Sequence, residues 1–106
     1  NNAFESWLCT GTVYRNNKAN FSNYGMWLGF GTGMLLEGNE IAYNNVNGIE
    51  IEGGGNNEFR YNTIHHNGQN AILLRHTDQE GWWGWDTPAG ESKNYNIHHN
   101  YIFSNK

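Results

Sequence analysis

The chain has 106 residues and a net charge of −4, with 37% hydrophobic and 15% charged residues. That charge content is too low for a solvated disordered segment, and the apolar content is too low for a helical bundle. The six Lys and Arg residues are scattered and form no basic cluster for a phosphate backbone, and no apolar run nears the ~20 residues that cross a bilayer, so neither nucleic acid nor membrane is an expected partner.

Nineteen asparagines and 14 glycines fill the gap. Both tolerate the left-handed backbone of tight corners. In chain order, the first strand-like segment is Phe4-Glu5-Ser6-Trp7-Leu8-Cys9, which aligns with Thr32 to Glu37, 28 residues on. Cys9 is the single cysteine, so no intrachain disulfide forms. Val13-Tyr14-Arg15-Asn16 opens a recurring pattern: apolar, two variable residues, asparagine. It returns at Ile41-Ala42-Tyr43-Asn44, Phe59-Arg60-Tyr61-Asn62 and Ile97-His98-His99-Asn100, at offsets of 28, 18 and 38 residues.

A second element follows the first three copies. Gly25-Met26-Trp27-Leu28, Gly48-Ile49-Glu50-Ile51 and Ala71-Ile72-Leu73-Leu74 each read small, apolar, variable, apolar. This is the period-2 signature of a strand. Stacking the copies makes interior rows of Met26, Ile49 and Ile72, of Leu28, Ile51 and Leu74, and of Val13, Ile41, Phe59 and Ile97. The strands are short and lie too close together for crossover helices. A parallel coil meets these conditions, each rung pairing with the next at about 4.8 Å. Asn16, Asn44, Asn62 and Asn100 are expected at its corners, left-handed and hydrogen-bonded along the stack. The segment 76–93 is too long for a corner and is expected to protrude as a tryptophan-rich loop. The expected architecture is all-β, one solenoid segment of about four rungs over residues 1–106, continued by further rungs or by end-to-end packing with other chains.

Asn39-Glu40-Ile41-Ala42-Tyr43-Asn44-Asn45 with Gly48-Ile49-Glu50-Ile51, and Tyr61-Asn62-Thr63-Ile64-His65-His66-Asn67, resemble the right-handed parallel β-helix superfamily. Its members include pectate-lyase-like enzymes, β-helix glycosidases, sugar epimerases and NosD-type carbohydrate-binding and sugar-hydrolase repeats. The likeness spans roughly residues 13–75 and 94–106. It implies a right-handed coil with substrate along the outward face of one sheet. Gly25-Met26-Trp27-Leu28-Gly29-Phe30 also resembles a strand of β-helix xylosidases in which an acidic residue occupies the place of Gly29.

The outward positions of the strand set are Trp27 and Gly29, then Glu50 and Glu52, then Leu73 and Arg75. Two carboxylates two residues apart on one strand face are about 6–7 Å apart. Glycoside hydrolysis uses pairs at about 5–5.5 Å for retention or about 6.5–9.5 Å for inversion, so the spacing leans to inversion. Trp27 and Leu73 flank Glu50 and favour a protonated acid, while Arg75 beside Glu52 favours an ionised base or nucleophile. The competing reading is a solvated face with a Glu52–Arg75 ion pair.

The loop adds His76, Asp78, Trp82, Trp83, Trp85 and Asp86 as candidate substrate contacts, with Glu80 beside them. Indole faces suit the C–H surfaces of sugar rings, though the tryptophans equally suit a satellite core. His65-His66 and His98-His99 raise the question of a metal. Adjacent rings are expected to diverge, and no Cys or acidic ligand completes a set, so no metal site is assigned.

The leading expectation is a carbohydrate-active protein, a glycoside hydrolase acting on a polysaccharide or oligosaccharide, without a cofactor. The alternative is a non-catalytic glycan-binding or structural repeat segment. The third is a lyase or epimerase; the lyases of the superfamily bring calcium and a basic proton acceptor, here Arg75. A polysaccharide partner carries the expectation of a secreted, periplasmic or cell-surface location.

Overall fold

The computed structural model describes residues 1–75 and 92–106. These residues form three parallel sheets. The first holds β1 (Asn2–Trp7), β3 (Tyr24–Gly29), β6 (Ile49–Glu52) and β9 (Ile72–Arg75). The second holds β2 (Val13–Arg15), β4 (Leu35–Glu37), β7 (Gly54–Arg60) and β10 (Ser92–His98). The third holds β5 (Glu40–Ala42), β8 (Thr63–His65) and β11 (Tyr101–Phe103), and an isolated bridge from Lys18 to Glu40 continues it. The chain visits the three sheets in turn, so every pairing lies between successive rungs. Residues 76–91, the bulk of the expected loop, lie outside the described residues. Ser92 and Lys93, placed in that loop by the sequence, instead pair with Gly54 and Gly55 as the start of β10.

The rung closes every 22 or 23 residues: Phe4 pairs with Met26, Met26 with Ile49, and Ile49 with Ile72. This corrects the offsets of 28 and 18. Each rung has two asparagine corners with the same local pattern, Leu36-Glu37-Gly38-Asn39 and Ile41-Ala42-Tyr43-Asn44, so copies from different corners align. The true interior rows are Tyr14–Leu36–Phe59–Ile97 and Ile41–Ile64–Ile102. Val13 faces outward and is exposed, and Phe4 to Trp7 pair with Met26 to Gly29, so the segment from Phe4 does not align with Thr32 to Glu37.

The corners explain the asparagine content. Asn16, Gly38, Tyr61 and His99 are left-handed in the first corner; Phe21, Tyr43, His66 and Ser104 are left-handed in the second. The residue after each is the ladder position. Asn39, Asn62 and Asn100 stack in one ladder, and Asn44, Asn67 and Asn105 in the other. In the first ladder the Asn39 amide and side-chain Nδ2 both donate to Oδ1 of Asn62, at 3.0 and 2.9 Å, while Nδ2 of Asn62 donates to the Leu36 carbonyl and to Oδ1 of Asn100. The left-handed residue therefore precedes the ladder asparagine. Asn16, expected in the ladder, is one of the left-handed residues, and Asn17 takes its rung by donating its amide to Oδ1 of Asn39. A left-handed Tyr or His is locally unfavourable, and the fully bonded ladder offsets that cost.

Met26, Leu28, Met34, Leu36, Ile41, Ile49, Ile51, Phe59 and Ile64 fill the interior and are fully buried. Ile72 is half-buried and Leu74 is 37% exposed, against the expectation of near-complete burial for both. Among the described residues their strand pairs only with β6, so the described rows cover them from one direction.

Candidate functional site

The first sheet's outward face carries two columns. Glu5, Trp27, Glu50 and Leu73 are register partners in one; Trp7, Gly29, Glu52 and Arg75 are partners in the other. The expected stacking of Trp27, Glu50, Glu52 and Arg75 is therefore correct, and Trp7 joins it. A Cβ on Gly29 would overlap the Trp7 ring. The indole fills the notch left by glycine, 5.7 Å from Trp27 and edge-on to Phe30 at 5.0 Å between centroids. Where the resembling xylosidase strand has an acid, this protein packs an indole. The signal that finds Trp7 is its 22-residue spacing from Gly29, masked in the sequence by the corner ambiguity.

The acids differ from expectation. Glu50 points away from the interior, since Ile49 and Ile51 occupy it, yet is only 3% exposed. Both its oxygens accept hydrogen bonds: Oε1 from Arg75 Nη1 at 2.7 Å, and Oε2 from Asn47 Nδ2 at 2.7 Å. Arg75 reaches Glu52 with the same Nη1 at 3.4 Å. The guanidinium thus pairs first with Glu50, not Glu52, and Glu50 does not lie on an open face. Burial holds the Glu52 carboxyl above its ordinary range; Arg75 opposes that shift, the charge of Glu50 adds to it, and a hydrogen bond with Trp27 lowers it. The Arg75 guanidinium is held above its ordinary range, chiefly by its hydrogen bond with Glu50, so it is a poor proton acceptor.

The model of the right-handed β-helix region matches residues 2–106. The chain belongs to the right-handed β-helix family. No curated protein and no solved structure gives a significant match.

Elsewhere in this β-helix, outward residues form structural ion pairs. Glu37 accepts from Arg15 Nε and Arg60 Nε, each at 2.7 Å, and Arg60 also meets Glu58. The pair with Arg15, followed by that with Arg60, holds the Glu37 carboxyl below its ordinary range. The histidine pairs do not diverge as expected: the left-handed backbone at His66 and His99 brings their Nδ1 atoms to within 2.8 and 2.7 Å of those of His65 and His98. Among the described residues, no three His, Cys, Asp or Glu side chains converge on a common point as metal ligands would. His76, Asp78, Glu80, Trp82, Trp83, Trp85 and Asp86 lie outside the described residues.

Proposed function

We propose that this β-helix is a carbohydrate-active protein whose saccharide site is the outward face of the first sheet. The observation that carries the reading is the contiguity of the Trp7 and Trp27 indoles with Glu52 and the half-exposed Arg75. Flat apolar rings beside a few fixed polar groups are what a sugar, apolar on its C–H faces and polar at its rim, requires. A non-catalytic glycan-binding role is favoured within this reading by Glu50, which is sealed beneath Arg75 and Asn47. Hydrolysis is the narrower reading, and Glu52 supports it: a carboxyl held above its ordinary range beside a second carboxylate suits protonation of a glycosidic oxygen. The raised Arg75 counts against a lyase with that residue as base. A secreted, periplasmic or cell-surface location accompanies a polysaccharide partner.

The test is a panel of polysaccharides assayed for binding and for released sugars, with wild type beside Trp27→Ala and Glu52→Gln. Binding that weakens in Trp27→Ala supports the site. Release of sugars that disappears in Glu52→Gln, with binding retained, supports hydrolysis. Wild-type affinity in both variants places the saccharide elsewhere and overturns the assignment.

A further inference from the structure

Two corners of the coil are each closed by adjacent histidines. His98-His99 precede Asn100 in the first corner, and His65-His66 precede Asn67 in the second. The second histidine of each pair is left-handed, with φ of 53°. That backbone turns its ring towards the first, and the ring planes stand at 88° for His65–His66 and 84° for His98–His99. The Nδ1 atoms are 2.8 and 2.7 Å apart, and the ring centroids 5.0 and 4.9 Å.

Those centroid distances are close to the nitrogen separation plus a ring radius at each end. The nitrogens therefore aim at each other along the line of centres. A metal bound by both rings would sit off that line and, at about 2.0–2.1 Å from each nitrogen in tetrahedral geometry, would hold the nitrogens about 3.3 Å apart. A hydrogen bond lies on the line. One Nδ1 carries a proton and the other supplies the lone pair. On the far side of the first ring stands a carboxylate: Glu58 Oε2 is 2.6 Å from His98 Nε2, and Glu40 Oε2 is 3.6 Å from His65 Nε2. His98 thus donates through Nε2 to Glu58 and accepts through Nδ1 from His99.

Among the described residues, the charged and titratable surroundings are few. His98 faces Glu58 and Arg60 on β7, and Tyr61 packs on both rings of that pair. His65 faces Glu40 on β5, with Lys18 acting on Glu40, and Phe103 of β11 stacks on His65. Tyr43 stacks on His66.

We propose that each histidine corner is a proton-limited clasp: it closes on one proton between the two Nδ1 atoms and opens when both imidazoles are cationic. The neutral pair carries one N–H on each ring. A first added proton is accommodated, because one ring becomes a double donor and the other keeps its Nδ1 lone pair. A second sets two Nδ1–H groups, and two like charges, face to face. The unfolded chain accepts both protons at each pair. Acidification that charges both rings therefore favours the open chain, and stability falls as the pH falls. Glu58 and Glu40 act in a separate, lower window. Their carboxyls lie below the ordinary value of 4.5, chiefly through the hydrogen bonds from His98 and Asn20 respectively.

The test uses the whole 106-residue chain, uniformly labelled with nitrogen-15. Scalar coupling across each Nδ1–H···Nδ1 bond is measured at about pH 7.5 and about pH 5, with the midpoint of urea unfolding at both. Coupling between His98 and His99, and between His65 and His66, is expected at the higher pH and lost at the lower. The urea midpoint is expected to drop over the same interval, and by less than half as much in the His66→Gln, His99→Gln double variant. Folded wild type without the couplings at neutral pH overturns the proposal, as does an equal drop in the variant. Should the variant fail to fold, the wild-type couplings decide alone.

Discussion

At Gly29 the absence of a side chain is a packing requirement. Any Cβ there meets the Trp7 ring, while the backbone conformation is ordinary strand. Gly29→Ala is therefore expected to cost about 1–3 kcal/mol through overpacking. The loss should shrink in the Trp7→Ala background, a coupling that a double-mutant cycle of urea unfolding measures. Glu50→Gln tests the other side of the same face. Because Glu50 is buried between Arg75 and Asn47, the change replaces a charge-assisted pair and leaves a donor facing a donor. It is expected to destabilise by about 1–3 kcal/mol. A Glu50 on an open strand face would tolerate the same substitution with almost no change in stability, so thermal melting separates the two arrangements directly. Glu52→Gln should do the opposite. Burial raises its carboxyl above the unfolded value, so the ionised group weakens the fold above its folded value and ceases to do so below the ordinary value of 4.5. The Gln variant is thus expected to be the more stable at neutral pH and to lose that advantage as the solution is acidified through the Glu52 range, as urea midpoints across a pH series will show.

The strands are too short to hold register by themselves; β2, β4, β5, β8 and β11 have three residues each. The asparagine ladders supply what the strands lack. Asn39, Asn44, Asn62 and Asn67 each bond the rungs on either side, and Asn62 is buried with both its oxygen and its amide engaged. Removing it leaves the Asn39 amide without its acceptor and takes one bond from the Leu36 carbonyl. Asn62→Ala should therefore cost on the order of 3 kcal/mol. Asn45 lies at the solvent side, where its Nδ2 donates to Oδ1 of Asn23, so Asn45→Ala should cost under about 1 kcal/mol. Chemical unfolding of the two variants side by side checks the contrast, and equal losses would show that the ladder is not what fixes the corners.

Across the whole coil, each rung touches only its neighbours, and coverage changes along the axis. Ile49, Ile51, Phe59 and Ile64 are sealed, whereas Leu74 and Ile102 are 37% and 46% exposed on strands that, among the described residues, are paired from one side. Such an edge presents unpaired backbone and apolar rows in the spacing of another rung. Further rungs or a second chain would continue both, and the 106-residue chain is accordingly expected to sediment above monomer mass with a dependence on concentration. A concentration-independent monomer with a sharp two-state melt would show that the edge is otherwise covered.

The coil is legible in the amino-acid sequence because its strands obey a local rule. Gly48-Ile49-Glu50-Ile51 and Ala71-Ile72-Leu73-Leu74 alternate with period 2, and an alternation of four residues already states which side chains face inward. The same rule places Trp27, Glu50 and Leu73 in one column, and Glu52 and Arg75 in the next. The corners are not legible in that way. Two corners in each rung use one motif, so Ile41 aligns with Phe59 in the sequence while its partner in the coil is Ile64, and Trp7 is kept from Gly29. Rung closure at 22 or 23 residues is a property of the stacked coil, set by which ladder an asparagine joins, and no short window contains it. The choice made by Arg75 is likewise a matter of three dimensions. The sequence register puts Glu52 beside Arg75, but Glu50 is desolvated and bonded to the Asn47 amide, and a guanidinium bonds most strongly where water competes least.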